Sequence, residues 1–358
     1  MSITRVPSDL NDTEALINAD HDGLLRAVSM AGAQVRATAA AVDEGALDEL
    51  RTGDRPRSVI WVAGRGPAET AGAILAATLG GSAAEPIVTA PEVPPWIGPL
   101  DVLVVAGNDP GDPVLAAAVA TGVRRGARVV VAGPAEGPLR DAAAGRAAVL
   151  APRLPVPDEF ALSRYLAVGL ATLHAVDPAI RVDLAALADE LDHEALRNSA
   201  AREVFTNAAK ALAQRLSGGG VVLAGDSSAT LALARHLSAI LLRVGHRVVA
   251  AAGLPDALVA LHSGAGFGGG LSDVDALFHD EQIDGPLPDR LRVVVLTLAA
   301  ERAALSARVE HFAEVEVVGA EDVPDAATDP VDVGSAEQQL ALLALRIEMA
   351  AVYLGLAE

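Results

Sequence analysis

Short runs of consecutive apolar residues alternate along most of the chain with longer, Ala- and Leu-rich stretches. An uninterrupted apolar run is typical of a strand that is buried on both faces, and the stretch after it is long enough for a covering helix. The first half of the chain contains five such runs, at residues 58–63, 86–89, 101–106, 128–132 and 147–150. The alternation predicts an α/β fold on a parallel sheet, preceded by a helix pair over residues 20–50.

The same rhythm returns in the second half of the chain. Pro152, Pro155 and Pro157 interrupt the pattern, and helices are predicted at 159–176, 184–191 and 198–216. Further strands follow at 221–224, 247–251, 291–298 and 315–318, with helices at 230–244, from 255, at 301–312 and at 336–356. We predict two doubly wound parallel-sheet domains with additional N-terminal and C-terminal helices: residues 1–152 and residues 153–358.

Ligands of such sheets bind outside the carboxyl ends of the strands, at the point where the strand order reverses. The segments to consider are therefore residues 64–67, 107–113 and 225–230, and the segment after 252. Gly64 and Gly66 lack the third glycine of a dinucleotide-binding turn, because Glu69 stands in its place. We predict no cofactor.

Composition excludes several function classes. Lys+Arg 27 and Asp+Glu 47 give a net charge of −20, which disfavours a nucleic acid or an anionic membrane surface as partner. There is no cysteine, and no His, Asp and Glu cluster has metal-ligand spacing, so no metal site is predicted. The start of the chain resembles no secretory signal, and the apolar stretch 340–356 is interrupted by Arg346 and Glu348. We expect a soluble cytoplasmic protein.

Five segments carry a resemblance to a known family. They are SVIWVAGRGPAETAGAILAA (58–77), DVLVVAGNDPGDPVLAAAVATGVRRGARVVVAG (101–133), NAAKALAQRLSGGGVVLAGDSSATLALARHLSAIL (207–241), GLPDALVALHSG (253–264) and GSAEQQLALLALRIEMAAVYLGL (334–356). They resemble the sugar isomerase (SIS) domain, present here twice. The layout is similar to that of the bacterial and archaeal two-SIS-domain phosphoglucose/phosphomannose isomerases.

The resemblance implies a function. Members of that family interconvert aldose and ketose hexose 6-phosphates and usually form homodimers. In them a glutamate of the second domain moves a proton through an enediolate, a histidine opens the sugar ring, and Ser and Thr hydroxyls hold the phosphate. By this resemblance the expected partners are a small-molecule sugar phosphate and a second copy of the chain.

The phosphate loop departs from the family pattern. The family has Ser-x-Ser-Gly-x-Thr after its third strand, whereas this chain has Gly107–Asn108–Asp109–Pro110–Gly111–Asp112–Pro113. Asp followed by Pro is favoured at a helix start, where Asp112 would accept the N–H groups that a phosphate needs. Each carboxylate would also repel a phosphate by about 4 kcal/mol at 4 Å. We predict that Asp112 caps this helix and that the loop binds no phosphate.

The catalytic base also departs from the pattern. No carboxylate lies between Thr230 and Ala252, where the family has its glutamate. Isomerase activity is therefore expected to be weak or absent, unless Glu337, Asp256 or another carboxylate replaces the base. Two hypotheses follow: an aldose–ketose isomerase with rearranged site residues, or a catalytically degenerate protein that binds a sugar phosphate or acts on a partner.

Few side chains remain as candidates for the site. His262 is the candidate for ring opening, and it precedes a Gly-rich stretch, 263–270, that is a candidate lid. Arg65 is a candidate anion contact, although a solvated loop arginine gives the same sequence signal. Ser227, Ser228 and Thr230 are candidates for binding sugar hydroxyls or a phosphate, although Ser and Thr at a helix start usually cap it.

Overall fold

The computed structural model describes residues 9–263, 290–324 and 334–357. Contacts divide the chain into two compact units. The first-sheet unit comprises His21–Ser199 and Gly334–Arg346, and the second-sheet unit comprises Met1–Asp20, Ala200–Val333 and Ile347–Glu358. The boundary predicted between residues 152 and 153 marks where the chain leaves the first sheet, and the compact first-sheet unit continues beyond it.

The described elements follow the predicted alternation. In chain order they are α1 (Thr13–Ala19), α2 (Leu24–Val28), α3 (Ala31–Asp43), β1 (Ser58–Ala63), α4 (Pro67–Leu79), β2 (Ile87–Ala90), β3 (Asp101–Ala106), α5 (Pro113–Arg125), β4 (Arg128–Ala132), α6 (Gly137–Ala143), β5 (Ala148–Val149), α7 (Leu162–Val176), α8 (Leu184–Arg197), α9 (Ala208–Leu216), β6 (Val221–Gly225), α10 (Ser228–Arg243), β7 (Ala250–Gly253), α11 (Leu254–His262), β8 (Arg292–Leu296), α12 (Ala299–Val309), β9 (Val315–Val318) and α13 (Ala336–Ala357). Short 3-10 turns lie at Asp48–Leu50, Asp158–Phe160 and Val204–Thr206.

The first sheet has the order β2-β1-β3-β4-β5, and its strands are parallel. Alternate side chains of its central strands face opposite layers of helix. Ile60 and Leu103, which are paired in register, pack into one core with α5 and α6. Trp61, the next residue of β1, faces α4 and α7. Both faces are covered, which explains why these strands are continuous apolar runs.

The second sheet has the order β7-β6-β8-β9 and is also parallel. This order repeats the first four places of the first sheet, because in each sheet the first strand lies between the second and the third. Ala224, Val293 and Val295 pack with residues of α11 and α12 on one face. The repeated order confirms the doubly wound parallel fold class and agrees with the internal duplication seen in the sequence pattern.

Three predicted elements differ most from the structure. The helix expected at 184–191 is α8, which continues to Arg197. The strand expected at 247–251 is β7, Ala250–Gly253, so it begins three residues later. The helix expected over 198–216 is only α9, because the Asn207 side chain accepts the Lys210 N–H at 2.9 Å and begins a new helix there. Local capping therefore overrode a helical apolar pattern that continued across the break.

Among the described residues, α13 is the one helix that is long and apolar enough to cross a membrane. Of its most apolar window, 83% is buried within the protein. Burial of that extent is typical of a core helix.

A buried ion pair joins α8 to the first half of α13 in the first-sheet unit. Arg346 Nε donates to Glu194 Oε1 at 2.6 Å, and both side chains are 1% exposed. Arg197 and Asn198 donate to the same carboxylate at 3.0 and 2.6 Å. A charged run such as Asp192–His193–Glu194 is typical of a solvated helix face, but the Glu194 side chain is buried against Arg346.

The surroundings of Glu194 determine its protonation. Burial opposes the charged form, but Arg346 and Arg197 outweigh it and hold the pKa of Glu194 below its ordinary value. The folded state therefore binds a proton on Glu194 more weakly than the unfolded state does. This stabilisation is fully present above the unfolded pKa of about 4.3 and is lost as the pH falls through the lower, folded pKa.

We expect Glu194→Gln to lower the free energy of unfolding at pH 7 by about 3–5 kcal/mol, because it leaves Arg346 buried without its counter-charge. The difference from wild type should narrow as the pH falls below the unfolded pKa of about 4.3, because unfolded wild type then binds the proton that the folded state resists. Urea unfolding at a series of pH values measures both effects. Glu190→Gln, at a partly exposed position of the same helix, is the control; equal losses in the two variants would contradict the assignment.

Candidate functional site

The carboxyl edge of the first sheet contains the switch point between β1 and β3. The chain leaves each of these strands through a glycine. Gly64 N–H donates to the Ala106 carbonyl at 2.7 Å, and Gly107 N–H donates to the Ala132 carbonyl at 3.1 Å. A Cβ atom at Gly107 would lie 2.5 Å from Leu115 Cδ1, so a larger residue there would require the Leu115 side chain to shift.

Asp112 caps the helix that follows β3. Its Oδ1 atom accepts the backbone N–H groups of Val114 and Leu115 at 2.8 and 3.4 Å, as expected from the Asp-Pro start. Asp109 Oδ1 accepts the Gly111 N–H at 2.8 Å in the same loop. The self-capping predicted from the sequence is thus confirmed. The N–H groups with which a helix start binds an anion are occupied by a carboxylate of the chain itself.

The helix that follows β1 begins differently. Its N-cap is Gly66, with φ 77° and ψ −134°, and no side chain caps it. Arg65, the predicted anion contact, is exposed beside it. In the part of the chain that the structure describes, the Arg65 guanidinium has no ion-pair partner. This turn therefore combines a helix N-terminus that no side chain caps with an unpaired cation, both of which attract anions, while the Glu69 carboxylate in the first turn of α4 opposes them.

Two cavities of similar size lie near this edge. One, of about 320 Å³, is lined by the start of α5 together with Glu92 and Val93. The other, of about 300 Å³, lies at the ends of β1 and β2 and against α4. The first adjoins the helix start that Asp112 caps, whereas Ala63 and Glu69 of the second flank the Arg65 turn on either side. The second cavity is here called the α4 pocket, and two of its lining residues flank Arg65 in the sequence.

Trp61 forms a wall of the α4 pocket and is almost fully buried. Its indole N–H donates to the Ala68 carbonyl at 2.9 Å. A Cβ atom at Gly72 would lie 2.3 Å from the indole ring, and one at Gly169 would lie 3.1 Å from it. Glycines in two helix interiors thus make room for the ring, which fixes α4 and the pocket beside it.

In the second-sheet unit, three predicted site residues lie in the first turn of α10. Ser227 is the N-cap and Thr230 is buried at the third position; their side chains and backbones form a reciprocal capping box. Ser228 is exposed at the first helical position. The structure therefore brings the three hydroxyl groups together and uses two of them as helix caps. Their role in binding a sugar or a phosphate stays a prediction.

Sequence reasoning missed Glu301, which lies in the first turn of α12, directly after β8. The Ser227 side chain and the Leu298 backbone favour the charged form of its carboxylate. Asp226 lies close by and forms a two-point ion pair with Arg308 at 2.7 and 3.0 Å. Burial and the negative charge of Asp226 raise the pKa of Glu301. Applying the strand-end rule to β8 as well as β6 would have found this residue.

His262 is the last residue of α11 and is exposed. Because α11 begins directly after β7, eight helical residues carry His262 about 12 Å from the end of that strand. The structure does not bring His262 to the strand ends, and its role in ring opening stays a prediction. Of the Gly-rich stretch 263–270, the candidate lid, residues 264–270 lie outside the described residues.

Comparison with solved structures identifies the fold. No family model and no curated protein sequence matches this chain. The C-terminal domain of glucosamine-fructose-6-phosphate aminotransferase from Francisella tularensis aligns with 94% of this chain and 98% of its own length, at 11% identity and a TM-score of 0.59. Tagatose-6-phosphate ketose/aldose isomerase from Escherichia coli aligns with 98% of this chain and 94% of its own, at 15% identity and a TM-score of 0.61.

The chain shares the fold of these two solved structures. At these identities the likeness establishes the fold alone, and it confirms the predicted fold class over nearly the whole chain. The narrower resemblance to phosphoglucose/phosphomannose isomerases stays a prediction, as do the homodimer and the cytoplasmic location.

Replacing Asp112 tests the cap on α5. We expect Asp112→Ala to lower the free energy of unfolding by about 0.5–2 kcal/mol, because two N–H groups lose their acceptor, and Asp112→Asn to lower it less. Denaturant unfolding at neutral pH measures the difference. Asp141→Ala, at an exposed position of α6, should stay within about 0.5 kcal/mol of wild type. An Asp112→Ala variant as stable as this control would mean that the cap contributes nothing.

Proposed function

We propose that this chain binds a sugar phosphate, and that it isomerises glucose 6-phosphate or mannose 6-phosphate weakly or not at all. The shared fold supports the first part, because the names of both aligned proteins include a hexose 6-phosphate. The observation that carries the proposal is the difference between two helix starts at the same edge of the first sheet. Asp112 closes the start of α5 to an anion, while Gly66 and Arg65 leave the start of α4 open to one.

The phosphate is therefore assigned to the β1–α4 turn. Free N–H groups at a helix N-terminus and a flexible guanidinium are a common pair of phosphate ligands. The glycines on both sides of Arg65 let the backbone approach an anion without a side chain in the way. In the β3–α5 loop, by contrast, Asp109 and Asp112 would repel the same anion.

We expect Arg65→Ala to raise the Kd for hexose 6-phosphates about tenfold to a hundredfold, because a charge-assisted contact to the phosphate is lost. The affinity of the wild-type protein should also fall as salt is added. Isothermal titration calorimetry with glucose, mannose and fructose 6-phosphates measures both. Arg146→Ala, which removes an exposed arginine from the turn before β5, is the matched control. Equal affinities in the two variants would remove Arg65 from the site.

Glu301 favours a second candidate function, an active aldose–ketose isomerase. Proton transfer between two sugar carbons needs a base held near both, and a carboxylate with a raised pKa is a stronger base than an ordinary one. Glu301 is such a group at the ends of β6 and β8, and it contacts Ser227, a predicted site residue. It is thus a specific candidate for the replacement base that the sequence left open.

A coupled isomerase assay with chelator present separates the two candidates. We expect turnover of glucose 6-phosphate and mannose 6-phosphate far below the ordinary enzyme range of about 1–10³ s⁻¹. Exchange of the substrate C2 proton in D₂O, followed by NMR, detects proton transfer even without net conversion. If turnover is ordinary and Glu301→Gln lowers it about 10²–10⁴-fold while Glu310→Gln does not, the chain is an isomerase that uses Glu301.

A further inference from the structure

The α4 pocket has the size and position of a small-molecule site. Its volume of about 300 Å³ is at the lower end of the range for such sites, which suits a ligand of monosaccharide size. It lies at the carboxyl ends of β1 and β2, and all the residues that line it belong to the first-sheet unit. The turn with Arg65 connects two of the residues that line the pocket, Ala63 and Glu69.

The lining of the pocket is chemically specific. Glu69 and Thr89 are exposed and supply a carboxylate and a hydroxyl. Ala63 and Ala73 are small, so the pocket has space for a ligand between Trp61 and these two polar groups. A carboxylate accepts hydrogen bonds from neutral hydroxyl groups without a charge penalty, whereas it repels an anion. The pocket therefore suits the polyhydroxylated part of a ligand better than its phosphate.

We propose that the α4 pocket binds the sugar ring of the ligand, with Glu69 and Thr89 hydrogen-bonded to sugar hydroxyls. The proposal rests on the proposed sugar-phosphate function and specifies it: Arg65 and the start of α4 bind the phosphate, and the pocket beside them binds the carbohydrate. The ligand is a monosaccharide monophosphate whose phosphate projects from the ring over the β1–α4 turn. Because Trp61 is wedged between α4 and α7, this wall of the pocket is held rigidly.

Trp61 is also a reporter of the pocket. The chain has two tryptophans, and Trp96 is exposed before β3. In a Trp96→Phe variant, the fluorescence comes from Trp61 alone. We expect saturable changes in this signal on titration with glucose, mannose or fructose 6-phosphate, at the Kd that calorimetry gives for the same variant.

Two substitutions in the Trp96→Phe background test the pocket itself. Ala73→Leu fills it and should abolish both the fluorescence change and the calorimetric binding. Glu69→Gln, at an exposed position, should raise the Kd about tenfold, because the acceptor loses its charge. Ala77→Leu, an exposed site on the same helix, is the matched control and should bind like the parent. Circular dichroism checks that each variant is folded. If Ala73→Leu is not folded, the Kd of Glu69→Gln tests the pocket alone.

The outcomes separate this inference from the proposed function. Binding that Arg65→Ala weakens, but that Ala73→Leu and Glu69→Gln leave unchanged, overturns the pocket and leaves the phosphate turn in place. Calorimetric binding of a sugar phosphate without a change in Trp61 fluorescence also overturns the pocket and leaves the phosphate turn in place. If none of the three sugar phosphates binds the parent variant, the proposed function fails and the inference fails with it.

Discussion

The packing of Trp61 against two helix glycines is the contact on which the candidate site depends. The indole ring occupies the space that a Cβ atom at Gly72 or Gly169 would need, and its N–H donates to the Ala68 carbonyl. Interiors are packed too densely for such a ring to move alone. The ring therefore fixes α4 against β1, and with it the start of α4, the Arg65 turn and one wall of the pocket.

Three helix starts at strand ends illustrate how one fold supports different chemistry. Each helix begins where a ligand of this architecture would bind, so the residue at the N-cap decides whether the N–H groups are available. Asp112 fills them with a carboxylate, and Ser227 with Thr230 fills them with hydroxyl groups. Gly66 provides no acceptor and leaves them open. The same backbone thus gives one start that is capped by a carboxylate, one that is capped by hydroxyl groups and one that no side chain caps.

Charge has different roles in the two units. In the second-sheet unit, Asp226 after β6 forms an ion pair with Arg308, and burial together with the nearby Asp226 charge raises the pKa of Glu301. In the first-sheet unit, Glu194 and Arg346 are buried as a pair, whereas Arg65 is exposed at the strand ends. A buried pair stabilises the fold only while both partners are present, and an exposed unpaired cation contributes little to stability. Arg65 therefore contributes little to folding, and its role in binding an anion stays a proposal.

The sequence by itself determined the fold class and the cap on α5. Uninterrupted apolar strands between helices specify a parallel sheet covered on both faces, and Asp followed by Pro specifies its own helix start, because both signals act through neighbouring residues. The sequence also placed Ser227, Ser228 and Thr230 in one turn. The sequence pattern does not show that Glu194 is buried or that a new helix begins after Asn207. A charged or an apolar pattern at these places is compatible with more than one local structure.

Only the tertiary structure decided the rest. The α4 pocket joins β1, β2 and α4, and Glu301 meets Ser227 from a strand end far along the chain, so no short segment contains either arrangement. In the sequence, Gly72 is an ordinary helix glycine. The structure shows that the Trp61 ring occupies the space that a side chain at this position would need. Such contacts depend on the strand order, which sets which loops become neighbours, and local sequence patterns do not specify that order.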